Sequence, residues 1–75
     1  MTLCECKKNV FYKVVSIVSD DEKLKLRLYE VGFFPGSLIK ILNKSFSNKT
    51  ILVHVLDSCF AMQSDIANIV EVEYG

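Results

Sequence analysis

Two apolar runs, Thr50–Leu56 and Cys59–Met62, are separated only by Asp57 and Ser58. A two-residue link between runs of this kind predicts a tight β-hairpin. The register that follows pairs Leu56 with Cys59, Val55 with Phe60, His54 with Ala61 and Val53 with Met62. Because side chains alternate between the faces of a strand, Val53, Val55, Phe60 and Met62 form one inward set, and His54, Leu56, Cys59 and Ala61 share the other side.

The rest of the chain repeats this short-strand logic around one helix. Phe11–Val18 is β-branched and aromatic, with Tyr12, Val14, Ser16 and Val18 on one face and Phe11, Val15 and Ile17 on the other, so burial is expected on both sides. Ser19-Asp20-Asp21-Glu22 has capping-box spacing. Leu24, Leu28 and Val31 then recur at helical spacing as one apolar stripe, and Gly32 supplies a helix stop. Pro35-Gly36 fits the centre of a type II turn leading into a strand over Ser37–Asn43. A polar loop, Lys44–Lys49, is interrupted by Phe46, Ser64–Ala67 suits a short helical turn, and Ile69–Glu73 suits a closing strand. The fold expected is mainly β: a small barrel of about five strands with one inserted α-helix and a helical turn before the last strand, forming a single domain over residues 1–75.

Composition narrows the functions open to such a fold. Of the 75 residues, 51% are apolar and 24% charged, which suits a packed globule rather than a disordered chain. Nine Lys and Arg offset nine Asp and Glu, interleaved along the sequence, so nothing builds the basic cluster that phosphate backbones require; nucleic acid is not an expected partner. No apolar run reaches the roughly 20 residues of a spanning helix, so no direct membrane insertion is expected. The first residues lack the layout of a signal peptide, and a cytoplasmic location is expected. Cys4, Cys6 and Cys59 are an odd number, poor material for a disulfide framework, and reduced thiols are expected.

Little here points to catalysis. There is one histidine, no phosphate-binding glycine loop and no nucleophile elbow, so no enzyme and no cofactor is expected. His54 and Cys59 fall as diagonal neighbours in the hairpin but lack a third group to orient them. Cys4, Cys6, His54 and Cys59 together form a possible zinc or iron ligand set, against which stands the single residue between Cys4 and Cys6, where structural zinc sites favour two to four. A contact surface is better supported. Leu26 and Tyr29 make a second apolar ridge on the helix, open to a partner or covered by the barrel end or the N-terminal segment. Phe34 precedes the Pro-Gly turn and Phe46 sits in the polar loop; each is an interface anchor or, for Phe46, a plug for the barrel end. Arg27 lies at the edge of the helical stripe, where an exposed salt bridge would contribute little.

The segment Arg27-Leu28-Tyr29-Glu30-Val31-Gly32-Phe33-Phe34-Pro35-Gly36 resembles the Arg-Leu-x-x-Leu-Gly-apolar-x-Pro-Gly signature of the FeoA family. The likeness extends to Phe60-Ala61-Met62-Gln63 and to Ala67, Val70 and Val72, and so covers most of the chain. It implies an SH3-like barrel and a role assisting a FeoB-type ferrous-iron permease of the membrane, by contact with that protein's cytosolic G-protein region and modulation of it; self-association stays open. On that implication Leu26, Arg27, Tyr29, Phe34 and Phe46 are the partner-binding candidates. The sequence departs from the family pattern at Asn9 and at Asp57-Ser58, where glycines are usual, and at Gln63, where arginine is usual; glutamine can hydrogen-bond there but supplies no charge.

Overall fold

The computed structural model of the chain describes residues 1–45 and 49–75, so Phe46 lies outside the described residues. In chain order the elements are a 3₁₀ turn at Leu3–Glu5, β1 (Phe11–Ile17), α1 (Glu22–Val31), β2 (Leu38–Lys44), β3 (Thr50–Val55), β4 (Ser58–Gln63), α2 (Ser64–Ala67) and β5 (Val70–Tyr74). The strands form one antiparallel sheet in the order β4-β3-β2-β1-β5. Buried residues from every strand meet in a single core that includes Tyr12, Val14, Ile39, Ile41, Val53, Val55, Met62 and Val70. This is the expected mainly-β, SH3-like architecture, with one difference: β4 and β5 are not paired to each other. The seam between them is spanned by α2 and by the N-terminal residues, where Val72 N–H donates to the Met1 carbonyl at 2.8 Å and the Cys4 thiol to the Ser64 carbonyl at 3.3 Å.

Bulges explain why β1 looked apolar on both faces. Tyr12 and Val14 point inward, the register shifts between Val14 and Ser16, and Ile17 takes the inward place that a regular strand would give Ser16. Phe11, Val15 and Val18, expected to be buried, are exposed. A bulge switches which parity faces the core, so apolar residues of both parities serve a strand buried on one side only.

The helix begins later than its capping box suggested. Asp21, not Ser19, is the N-cap: its carboxylate accepts the Lys23 and Leu24 N–H groups at 3.1 and 3.2 Å, while Ser19 Oγ accepts from Asp21 N–H. A charged acceptor at the positive end of the helix is favoured over a hydroxyl placed further out. Asp21→Ala is expected to cost about 1 kcal/mol in urea unfolding, and Asp21→Asn a fraction of that, since the amide oxygen still accepts. At the other end Gly32 (φ 124°) closes a Schellman motif, with Phe33 N–H donating to Leu28 O at 2.8 Å and Gly32 N–H to Tyr29 O at 3.1 Å. The Pro35-Gly36 turn forms as expected, with Ser37 N–H on Phe34 O at 3.0 Å and Gly36 at φ 94°.

The hairpin keeps its expected faces but not its expected register. Val55 pairs with Ser58, His54 with Cys59 and Val53 with Phe60, so the link is Leu56-Asp57 and β4 is displaced by two residues. A slip of two preserves inside and outside, which is why Val53, Val55 and Met62 are still buried. The turn forms one residue early because Leu56 adopts φ 54° and lays its side chain over Gly32.

Candidate functional site

A groove of about 290 Å³ separates α1 from the free edge of the sheet. Leu24, Arg27, Leu28 and Val31 of α1 form one wall; Phe60, Ala61, Met62 and Gln63 of β4 form the other, joined by Ile66 of α2. The expected core stripe of the helix is thus only partly core. Leu28 is buried, whereas Leu24 and Val31 are half-buried and face the opening. The groove has this shape because the Schellman turn folds Phe33 under the helix, where it meets Phe60 edge-on with ring centroids 5.9 Å apart. Phe33 holds α1 against β4 and leaves part of the Phe60 surface open to the groove. The groove is apolar save for Arg27 and Gln63, and it holds no pair of titratable groups suited to proton transfer.

The sequence candidates are spread around this groove. Arg27 lines it; Leu26, 57% exposed, lies outside it, and Tyr29 packs partly against the core instead of completing an open ridge with Leu26. Phe34 is 41% exposed beside the buried Phe33. Sequence reasoning missed Phe60, Met62 and Ile66 as groove residues, since an inward strand position and a helical turn both read as ordinary core.

The cysteines divide into two places. Cys4 and Cys6 sit at the seam, with the Cys6 thiol buried and directed at the Thr2 carbonyl at 3.6 Å. Burial pushes Cys4 above its ordinary value and Cys6 up to about 11, so both thiols resist becoming thiolates. Cys59 is exposed and directly opposite His54 in the ladder, rather than diagonal to it. Ser64, which accepts from Cys4, is five positions beyond Cys59 at the far end of β4, roughly 17 Å along a strand. Among the described residues no three His, Cys, Asp or Glu side chains come together as a metal-holding group. At pH 8 iodoacetamide is expected to alkylate Cys59 first and Cys6 last, read by peptide mass mapping. Because the folded Cys6 pKa lies above its unfolded value, its contribution to stability is complete below pH 9 and is lost as pH rises toward 11, which pH-dependent urea midpoints would show.

The family model described as "FeoA domain" matches residues 1–74. The chain belongs to the FeoA family. It is 36% identical over 72 residues to the Campylobacter jejuni protein named "Putative Fe(2+) transport protein A", covering 96% of each chain. The solved FeoA of Stenotrophomonas maltophilia, in complex with zinc and described as a procaryotic SH3 domain protein, superposes with a TM-score of 0.83 at 28% identity, over 97% of this chain and 89% of that one. Iron(II) transport protein A from Clostridium thermocellum shares the fold with a TM-score of 0.90 at 23% identity; this chain spans 45% of its length.

The FeoA-like segment now has a physical reading position by position. Arg27 lines the groove, Leu28 anchors the helix, Gly32 ends it, Phe33 fills the core beneath it, and Pro35-Gly36 turns the chain into β2. The departure at Asn9 is also accommodated: Asn9 sits at φ 63°, a left-handed position that asparagine tolerates better than most residues. No helix among the described residues is long and apolar enough to cross a membrane.

Proposed function

We propose that this FeoA-family chain is a cytoplasmic, non-enzymatic accessory module of ferrous-iron uptake, acting as one domain that binds the cytosolic G-protein region of a FeoB-type permease and modulates it. The observation that carries the reading is the apolar groove between α1 and β4, a concave surface equipped to bind and not to react. Family membership and the ferrous-iron transport role in the Campylobacter relative's name supply the process. Arg27 in the groove and the exposed Leu26 and Phe34 nearby in sequence are the contacts of this interface, with Tyr29 supporting them from the core side. The test is calorimetric titration of the purified chain into the soluble region of its cognate permease, with and without guanine nucleotide. Saturable binding supports the proposal; no heat and no co-elution under any nucleotide condition rejects it.

A second reading, a small Cys/His protein binding zinc or iron, is favoured by His54 facing Cys59 and by the zinc held in the Stenotrophomonas structure. Two ligands leave a tetrahedral shell to be completed by another molecule, with Cys4 and Cys6 held at the seam by burial. Zinc titration of the wild type against Cys59→Ser decides it: equal binding by both discards that site.

A further inference from the structure

The two edges of the sheet are treated differently. At β5 the Val72 N–H is taken by the Met1 carbonyl, Thr2 bridges to Glu71, and Glu71 and Glu73 add charge. Charge and cover are the usual protections of a strand edge. At β4, Ser58-Cys59-Phe60-Ala61-Met62-Gln63 carries no charge, no proline and no register shift.

The ladder fixes which groups of β4 are free. Val55 and Ser58 close the two-residue turn, and further along the same ladder Ser64 N–H donates to Lys49 O at 2.9 Å. Bonding alternates along an antiparallel pair, so Ser58, Phe60 and Met62 bond to β3, while Cys59 and Ala61 point their N–H and C=O groups away from it, as Gln63 does its N–H, the Gln63 carbonyl serving as the N-cap of α2. Among the described residues these three N–H groups have no acceptor. The groove follows that edge: the inward Phe60 and Met62 and the outward Ala61 and Gln63 all line it, which a pocket on one face of the strand would not allow. Across from them, the Arg27 guanidinium has no carboxylate within 4.0 Å among the described residues.

We propose that β4 accepts an extended segment of a protein partner as a sixth strand. Its backbone pairs with Ala61 and Gln63, its apolar side chains enter against Leu24, Leu28 and Phe60, and a carboxylate on it pairs with Arg27. This deepens the partner-binding reading above and rests on it, adding the form and charge of what is bound. A partner with an acidic strand fits better than a second copy of this chain, because β4 has no carboxylate to bring to Arg27.

The test uses ¹⁵N-labelled protein and the peptide acetyl-Thr-Val-Leu-Val-Glu-Val-Thr-amide, with its Glu-to-Gln analogue. The expected result is that the peptide slows amide exchange at Ala61 and Gln63 by about tenfold or more, while Phe60 and Met62, already bonded, change little. The analogue is expected to bind about tenfold more weakly, and Arg27→Met to abolish that difference. Free exchange at Ala61 and Gln63 with millimolar peptide present overturns the proposal. So does protection that appears without peptide and grows with protein concentration, which would assign the edge to a second copy. The permease titration stands apart from these outcomes. A permease complex that leaves both amides unprotected would sink strand addition alone, and no complex at all would sink the partner's identity alone.

Discussion

Phe33→Ala is expected to lose about 3–5 kcal/mol of folding stability, the range for emptying a buried phenylalanine site. The side chain is 0% exposed, lies beneath the helix stop and meets Phe60 edge-on, so its removal leaves a cavity bordered by α1 and β4 that neither element can close without breaking the Schellman turn. At roughly 0.05–0.15 kcal/mol per residue, a chain of this length has about 4–11 kcal/mol in total, and the variant would be marginal or unfolded at room temperature. The adjacent Phe34 provides the control. It is 41% exposed in the turn, and Phe34→Ala is expected to cost under about 1 kcal/mol. Urea midpoints of the two variants should differ widely; equal midpoints would mean that Phe33 does not hold the helix to the sheet.

Gly32→Ala is the second large effect, expected at about 2–4 kcal/mol from two causes acting together. The backbone sits at φ 124°, where a Cβ is strained. A Cβ built there would also lie 2.9 Å from Val55 Cγ2 and 3.0 Å from Leu56 Cδ1, and Val55 is part of the core and cannot retreat freely. Gly36→Ala separates the causes, because Gly36 is at φ 94° with nothing within 4 Å of a new Cβ; strain alone should cost about 1–2 kcal/mol there. Thermal unfolding of the pair measures the steric part as the difference. If Gly32→Ala proved as mild as Gly36→Ala, the close approach of Leu56 to the helix end would be wrong.

The order of elements and the faces of the hairpin were legible in the sequence because alternation and turn residues report on local geometry. The inward set Val53, Val55 and Met62 was read correctly even though the register was not, since a shift by two leaves parity untouched. The register itself was illegible for a tertiary reason: Leu56, a poor turn former, is held at φ 54° against Gly32, a residue far from it in sequence. The bulge in β1 was hidden in the same way, and so was the burial of Leu3, whose 3₁₀ turn packs against α2 and β5. Of the groove, Arg27 and the helical wall were visible as a pattern. The strand wall was not, because whether Phe60 and Ala61 face solvent depends on how far α1 stands from β4, and no local spacing encodes that distance.

The pairing of β1 with β5 joins Tyr12 to Tyr74, nearly the whole chain apart. During synthesis β1 therefore emerges from the ribosome long before the strand that completes it, and until then its β5-facing backbone and much of the Tyr12 and Val14 surface must wait in water or in a chaperone's grip. The β2–β3–β4 meander has its partners close in sequence and can assemble first. Closure of the sheet should accordingly be the slow step of folding, set by the long loop that separates β1 from β5 and not by the local meander.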